Sequence, residues 1–183
     1  MIKQSRKSKE DWLKIALDIL EMEGIDAVRV ERLAARLHIA KSGFYWHFKN
    51  RDELLKELLK FWEVNYTEIV IQELSMIEMD PAVRLNQVAE MIWKRDLTKY
   101  DLAIRIWAKH DPVARRTVKK VNKLRMDYIR SVFSELGFRG NDLETRTMLY
   151  VVYHSWERPM FGKYNQQKWE KLKKLRLALL TQK

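Results

Sequence analysis

The chain has 183 residues, no cysteine, five glycines and three prolines, and its formal net charge is +11. The cysteine count excludes disulfides and cysteine-based zinc sites, and so few turn residues argue against an all-β fold. A hydrophobic content of 46% with 33% charged residues is typical of a helical protein that buries a core. The charge favours an anionic partner, although most of the basic surplus lies after residue 60.

The sequence shows no targeting or membrane segment. Its first dozen residues are basic but lack the apolar run of a signal peptide. No apolar stretch approaches the roughly 20 residues that a membrane-spanning helix needs. Together with the absence of cysteine, these features predict a cytoplasmic protein without a membrane partner.

The first predicted helix runs from about Ser8 to Glu23. Ser8, with Asp11 three residues later, forms a weak capping box, and Gly24 supplies a C-terminal stop. The apolar residues that recur at helical spacing are Trp12, Ile15, Ala16, Ile19 and Leu20. A short link from Ile25 to Arg29 then leads to the next helix.

The segment from Val30 to Phe48 has the dimensions of a helix-turn-helix. A first helix ends at Leu37, residues 38–40 form the turn, and a second helix begins at Lys41. Phe44 and Phe48 share one face of the second helix. The other face carries Lys41, Ser42, Gly43, Tyr45, Trp46 and His47. In DNA-binding proteins of this kind the second helix enters the major groove.

Residues Trp12 to Phe61 resemble the N-terminal domain of the TetR family of bacterial transcription regulators, through VxxLAxxLxIxK and FYWHFKNRDELL. The resemblance implies an all-α protein of about nine helices. Residues 1–60 would form a three-helix DNA-binding domain and residues 61–183 a helical domain for effector binding and dimerisation. It also implies a homodimer that binds an inverted-repeat operator in double-stranded DNA. The most direct reading is a repressor that a small, mainly apolar ligand releases.

The resemblance and the helix geometry together give the candidate DNA-binding residues. In the family, the residues that match Tyr45 and Lys49 hold phosphates. Arg29 stands where the family usually has Thr or Ser, and His38 replaces the usual Gly of the turn. The full set is Arg29, Lys41, Ser42, Gly43, Tyr45, Trp46, His47 and Lys49. An aromatic-rich core helix is the alternative, but it explains only Phe44 and Phe48.

Helix signals continue to the end of the chain. Asn50 caps a helix that we expect to reach about Leu74, with the domain boundary inside it near Trp62. Asp80 and Asp111, each followed by Pro, open two more helices. The remaining predicted helices begin at Asp101, at Asn141 or Asp142, and at Lys168.

The segment TMLYVVYHSW is apolar on nearly every side. A helix of this kind must be covered on every side, by its own core and by a partner. In the family, the last two helices of each subunit form the dimer interface, and the resemblance places that interface here. The candidate residues are Tyr150, Val151, Val152, Trp169, Leu172, Leu175 and Leu179.

The second part of the chain is rich in Trp and Tyr. Such stripes are core residues in most proteins, and the alternative is an apolar ligand cavity with a few polar groups. The candidate pocket residues are Trp93, Arg105, Trp107, His110, Met126, His154 and Trp156. No catalytic motif, His-x-x-x-His spacing or Gly-rich phosphate loop is present, so we predict neither an enzyme nor a metal or cofactor site.

Two other functions fit the same sequence. The helix-turn-helix could pack on another protein, or the chain could bind DNA without sequence preference. A salt-dependent gel shift separates the first from a regulator, and the specificity ratio against random DNA separates the second.

Overall fold

The computed structural model describes residues 7–162 and 164–182. Nine α-helices and no β-strand occur in this part of the chain, which confirms the all-α fold. The α-helices are α1 Lys9–Glu23, α2 Val30–Leu37, α3 Arg51–Glu63, α4 Ile69–Ser75, α5 Pro81–Arg95, α6 Asp101–Trp107, α7 Pro112–Glu135, α8 Gly140–Phe161 and α9 Gln166–Thr181. Two 3-10 helices, Ile25–Ala27 and Lys41–Trp46, and a π-helix, Val64–Glu68, complete the regular structure.

Several helices begin at the predicted caps. The Ser8 hydroxyl accepts from Asp11 N while the Asp11 carboxylate accepts from Ser8 N, so the capping box is complete. Asn50 caps α3, and Asp80 caps α5. The start of α8 differs from the prediction, because its N-cap is Arg139 and no side chain caps it.

The helix predicted from Asn50 to about Leu74 is interrupted. It consists of α3, the π-helix Val64–Glu68 and α4. Thr67 in the π-helix is buried, and its hydroxyl accepts a hydrogen bond from Arg125 Nε at 3.1 Å. The change to π-helical winding is local, with about one extra residue per turn. The spacing of the apolar residues did not reveal it.

The described residues form two compact units. The first contains the chain up to Val64 together with Tyr100–Val118, and the second contains Asn65–Lys99 and the chain from Lys119 onward. The chain therefore passes from one unit to the other within the π-helix. The packing of Tyr100–Val118 with the first unit was not predicted. The functional division at residues 60 and 61 stays a prediction.

In the first unit, α6 packs against α1. The Tyr100 hydroxyl donates to Asp18 at 2.8 Å, and Trp62 Nε1 donates to the buried Asp101 carboxylate at 3.2 Å. Buried polar groups of this kind are costly without partners, so these bonds fix where α3 and α6 meet.

In the second unit, the core centres on Phe133 and Tyr150, whose rings meet edge to face with centroids 6.1 Å apart. The Tyr150 hydroxyl donates to the Leu85 carbonyl at 2.6 Å, so it is satisfied although the side chain is buried. Burial raises the pKa of Tyr150, which therefore stays uncharged.

Helix α9 is held on α5 by an aromatic stack and an ion pair. The rings of Trp93 and Trp169 lie 4.9 Å apart, and the buried Lys173 ammonium lies 3.0 Å from Glu90 Oε1. Hydrogen bonds from Lys94 and Lys173 lower the pKa of Glu90 to about 2. The Glu90 carboxylate is therefore charged near neutral pH.

Candidate functional site

The turn between α2 and the Lys41–Trp46 helix has left-handed backbone geometry at His38. This residue has φ 56° and ψ 43°, and Ile39 N donates to the Ala34 carbonyl at 3.1 Å. Non-glycine residues adopt this conformation only at a cost, and His is among the side chains that tolerate it best. The turn predicted from the sequence is therefore confirmed, with His in the position that glycine would occupy most easily.

The segment after the turn is a 3-10 helix and not the predicted α-helix. Gly43 N donates to the Ala40 carbonyl and His47 N to the Phe44 carbonyl, both with the spacing of 3-10 structure. Its N-cap is Ala40, which makes no side-chain capping hydrogen bond. With six residues, this helix is longer than the three or four residues that most 3-10 helices reach.

One face of the Lys41–Trp46 helix is fixed in the core of the first unit. The Phe44 ring packs edge to face against Trp12 at 5.5 Å, and its centroid lies 5.1 Å from that of Phe48. Both phenylalanines are buried, and each aromatic pair adds about 0.5–1.5 kcal/mol beyond its buried area. The alternative of a wholly buried aromatic helix is wrong, because Tyr45 and Trp46 point away from this core.

The opposite face is open to solvent. Tyr45 is 64% exposed and Trp46 is 72% exposed. The side chains of Lys41, Ser42 and Lys49 are exposed too, whereas Gly43 and His47 are half-buried. Exposure of neighbouring Tyr and Trp side chains to water is unfavourable, and surfaces of this kind are typical of binding sites. We take this face as the candidate contact surface.

Several predicted contact residues already have partners in the protein. Lys41 Nζ lies 2.8 Å from Glu31 Oε1, and this hydrogen bond lowers the pKa of Glu31. Arg29 Nε donates to the Asp26 carbonyl at 2.7 Å. His47 Nε2 lies 3.0 Å from the Lys7 carbonyl. The exposed Lys41 pair is weak in water, so the ammonium can exchange Glu31 for another anion.

Sequence reasoning missed the role of Arg51. Its guanidinium donates from Nε to the Val28 carbonyl at 2.7 Å and from Nη2 to the Ile25 carbonyl at 2.8 Å. These two bonds join the start of α3 to the link that precedes α2. No periodic or capping signal marks this function, since Arg51 reads in the sequence as an ordinary exposed residue of the first turn.

A partly enclosed cavity lies in the second unit. Its volume is about 60 Å³. The lining is mainly aliphatic and aromatic, with Arg125 as its charged side chain, and is formed by Tyr66, Thr67, Val70, Ile71, Val88, Ile92, Leu97, Thr98, Arg125, Tyr128, Ile129, Tyr150, Val151, His154 and Ser155. Of the seven predicted pocket residues, only His154 lines this cavity.

The other six predicted pocket residues lie elsewhere. Trp93 and His154 line a small adjacent cavity of about 20 Å³. Arg105, Trp107 and His110 belong to the first unit, so they cannot form one pocket within the second unit with His154. Met126 and Trp156 do not line the cavity, and Trp156 is exposed. The second unit therefore does not bring the seven predicted residues together in one cavity.

Two polar groups on the cavity wall lack a hydrogen-bond partner among the described residues. These are the hydroxyl of Tyr128 and both ring nitrogens of His154, which is only 3% exposed. Glu157 Oε2 lies 3.8 Å from His154 Nδ1, beyond hydrogen-bond distance. Burial, and secondarily Arg176, lower the pKa of His154 well below its usual value. A buried group left unpaired costs about 1–3 kcal/mol, so these atoms favour an added partner.

Helices α8 and α9 present an exposed apolar face. They pack side by side, as shown by Arg146 Nη1 donating to the Leu180 carbonyl at 2.7 Å and by the guanidinium carbon of Arg176 lying 4.0 Å from the Tyr153 ring centroid. The exposed apolar residues on the two helices are Met148, Leu149, Val152, Trp156, Met160, Phe161, Leu175 and Leu179. Apolar surface on this scale is typical of a binding face.

The predicted interface residues divide between this face and the core. Val152, Leu175 and Leu179 are exposed on it, and Val151 and Leu172 are half-buried. Tyr150 and Trp169 are buried within the chain's own core, so their assignment to an interface is wrong. The sequence showed that both sides of α8 are apolar but not which side faces inward.

Two features are absent from the described residues. No helix in residues 7–162 and 164–182 combines the length and apolar character needed to cross a membrane. In the same ranges, no three His, Asp or Glu side chains are grouped so that they could hold a metal ion. Catalytic function is not tested by these observations.

Comparison with known proteins finds a family match in the N-terminal part of the chain. Residues 13–58 match the family described as "Bacterial regulatory proteins, tetR family". The HTH-type transcriptional regulator AcrR of Shigella flexneri is 20% identical over 96 residues, which cover 52% of this chain and 45% of that protein. The chain thus spans less than half the length of the curated relatives that it matches.

Solved structures share the fold over almost the whole chain. A transcriptional regulator from Saccharomonospora viridis in complex with choline has a TM-score of 0.74, 16% identity and 95% coverage of each chain. The regulator FadR of Bacillus subtilis in complex with stearoyl-CoA has a TM-score of 0.68 and 15% identity, and covers 96% of this chain and 98% of its own. The match at residues 13–58 thus joins the N-terminal part of the chain to the TetR family of bacterial regulatory proteins, and the solved structures show that the chain shares their fold.

Proposed function

We propose that the protein is a sequence-specific DNA-binding transcription regulator, and that it acts as a repressor. The observation that carries this proposal is the two-sided Lys41–Trp46 helix, with Phe44 fixed in the core and Tyr45 and Trp46 exposed. A helix anchored on one face and polar and aromatic on the other is suited to lie in the major groove. The match of residues 13–58 to the tetR family supports the same function.

The exposed residues divide into two roles. Lys49, Tyr45 and Arg29 are exposed and would contact phosphates, which position the protein without reading the sequence. Ser42 and Trp46 are exposed on the helix itself and would contact base edges. Gly43 leaves room for close backbone approach, and Lys41 and His47 complete the surface. For Lys41, phosphate binding would replace the pair with Glu31.

We propose further that two copies bind together. The exposed face of α8 and α9 would pair with itself in a two-fold dimer and present two Lys41–Trp46 helices to the DNA. The preferred site would then be an inverted repeat. A self-complementary face is supported by apolar residues such as Leu149, Val152 and Leu179, each of which is at least half exposed.

A small molecule bound in the second unit would release the repressor. The cavity wall includes Tyr66 and Thr67 of the π-helix, and the chain runs from this π-helix back through α3 to the Lys41–Trp46 helix. A ligand that binds the off-DNA conformation more tightly shifts the population toward it, and a tenfold loss of DNA affinity needs about 1.4 kcal/mol of difference. The relatives that bind choline and stearoyl-CoA support a ligand response in this fold.

The division of roles among the contact residues is directly testable with Lys49→Ala. Removal of this exposed cation should weaken binding to specific and random DNA alike and reduce the slope of log affinity against log salt by about one unit per bound subunit. The measurement is a gel shift or anisotropy titration at several salt concentrations.

The matched control for that experiment is Lys14→Ala. Lys14 is exposed in the same compact unit but lies on α1, where it pairs with Glu10, so its removal should leave the salt slope unchanged. If Lys49→Ala instead changed the preferred sequence at constant affinity for random DNA, Lys49 would read bases. If Lys49→Ala left the salt slope unchanged, as Lys14→Ala should, Lys49 would not contact the DNA.

A further inference from the structure

The cavity of the second unit is distinguished by the polar groups of its wall as well as by its size. Its wall is mostly apolar, yet the His154 ring nitrogens and the Tyr128 hydroxyl are buried there without a protein hydrogen-bond partner in the described chain. Tyr150, by contrast, lines the same cavity with its hydroxyl bonded to the Leu85 carbonyl. The unpaired groups are therefore distinctive, because native proteins satisfy most buried polar atoms.

We infer that this cavity binds a small uncharged ligand, or the uncharged end of one, that carries a hydrogen-bonding oxygen such as a ketone or hydroxyl, with His154 and Tyr128 as its partners. This inference rests on the proposed function and names the chemical class of its effector. A neutral imidazole offers one N–H donor and one acceptor nitrogen, and a phenol offers both functions at one oxygen. Together they can satisfy a carbonyl or a hydroxyl group.

A cationic ligand is disfavoured by the charges of the wall. Arg125 lines the cavity, and the wall contains no Asp or Glu. A cation buried there would lose its hydration and face a like charge without a counter-ion. The cavity therefore differs in chemistry from one that would hold choline, the ligand of the structurally similar Saccharomonospora viridis regulator.

A carboxylate ligand is also disfavoured, although less strongly. The only cationic group of the wall is Arg125, and its Nε already donates to Thr67 Oγ1. Burial keeps the His154 ring neutral, so it does not supply a second positive charge. An anion in this mainly apolar space would rely on one arginine, whose Nε is already engaged.

The size of the cavity limits the ligand further. A volume of about 60 Å³ is well below the ~150 Å³ of a cavity that holds benzene. The space takes a molecule of a few non-hydrogen atoms, or the tip of a longer one that extends through the open side. A complete long acyl chain like that of stearoyl-CoA requires the wall to rearrange.

The test uses four probes matched in their number of non-hydrogen atoms: 2-butanone, 2-methylbutane, propionate and tetramethylammonium. Each is titrated to millimolar concentration into full-length protein with ¹⁵N-labelled histidine, in the absence of DNA. His154 is one of four histidines, and its ring signals are assigned with the His154→Gln variant. We expect 2-butanone to shift the His154 ring nitrogens and to bind at least fivefold more tightly than each other probe.

Tyr128→Phe provides the second readout. It removes a hydroxyl that has no protein partner in the described residues, so the fold should be retained, and the affinity for 2-butanone should fall about fivefold. Tyr153→Phe is the matched control, because the Tyr153 hydroxyl donates to Glu157 at 2.7 Å and does not line the cavity. That variant should bind 2-butanone as the wild type does.

Several outcomes would overturn the inference. Tighter binding of propionate or tetramethylammonium would show a charged-ligand site, and equal binding of 2-methylbutane would show that the polar groups have no role. If no probe shifted the His154 signals, the cavity would hold water and not a ligand of the inferred class. Binding of 2-butanone without release of DNA would count against the proposed ligand response only, since these titrations are made without DNA.

Discussion

Val152→Glu should convert a dimeric protein into a monomer that keeps its helical content and no longer binds an inverted repeat. Val152 is 50% exposed on the apolar face of α8 and α9, so the charge is tolerated in the monomer. In a paired interface the same carboxylate would be buried without a counter-ion, at a cost of several kcal/mol. Sedimentation with circular dichroism measures both properties.

Two further substitutions serve as controls for Val152→Glu. Val83→Glu alters an equally exposed valine on α5, away from the α8 and α9 face, and should leave the dimer intact. Val151→Glu places the charge against the core of the second unit and should instead destabilise the fold. A wild-type protein that sediments as a monomer at micromolar concentration would disprove the interface.

Trp169→Ala should reduce the free energy of unfolding by about 3–5 kcal/mol. The side chain is 1% exposed, stacks on Trp93 at 4.9 Å, and has the Lys173 ammonium 4.7 Å from its ring centroid. Its removal deletes the main apolar contact between α9 and α5 and leaves a large cavity. Denaturant unfolding monitored by circular dichroism gives the value.

The control is the same substitution at an exposed site. Trp46→Ala removes an indole that is mostly in solvent, so stability should change by less than about 0.5 kcal/mol while DNA sequence preference changes. If Trp169→Ala were as mild as Trp46→Ala, α9 would not be held by this contact. The burial of the Trp169 side chain would then need another explanation.

Local sequence signals predicted much of the fold. The caps at Ser8, Asn50 and Asp80 are satisfied by short-range hydrogen bonds, which depend only on residues two or three positions apart. The turn at His38 is likewise set by backbone geometry close in sequence. The two faces of the Lys41–Trp46 helix follow from residue spacing alone, although its 3-10 winding does not.

Features that depend on tertiary packing were not predictable. The π-helix Val64–Glu68 involves a bond from Arg125, which is distant in sequence. Periodicity placed Tyr150 and Val152 on different sides of α8 but could not tell which side the chain covers for itself. Cavity walls pose the same problem, since Trp93 was a candidate for the same pocket as His154 but packs on Trp169 and lines only the smaller cavity. These outcomes are decided by which elements meet in space.

The central claim is best tested by selection of bound sites from random double-stranded DNA with the purified full-length protein. The proposed function predicts enrichment of an inverted repeat whose half-site centres lie about 34–36 Å apart or at a multiple of that distance. Affinity for the selected site should exceed that for random DNA by about a thousandfold or more and should fall steeply with salt. A ratio near one would show a nonspecific DNA-binding protein. Failure to bind any DNA would show that the exposed Tyr45 and Trp46 serve a protein partner instead.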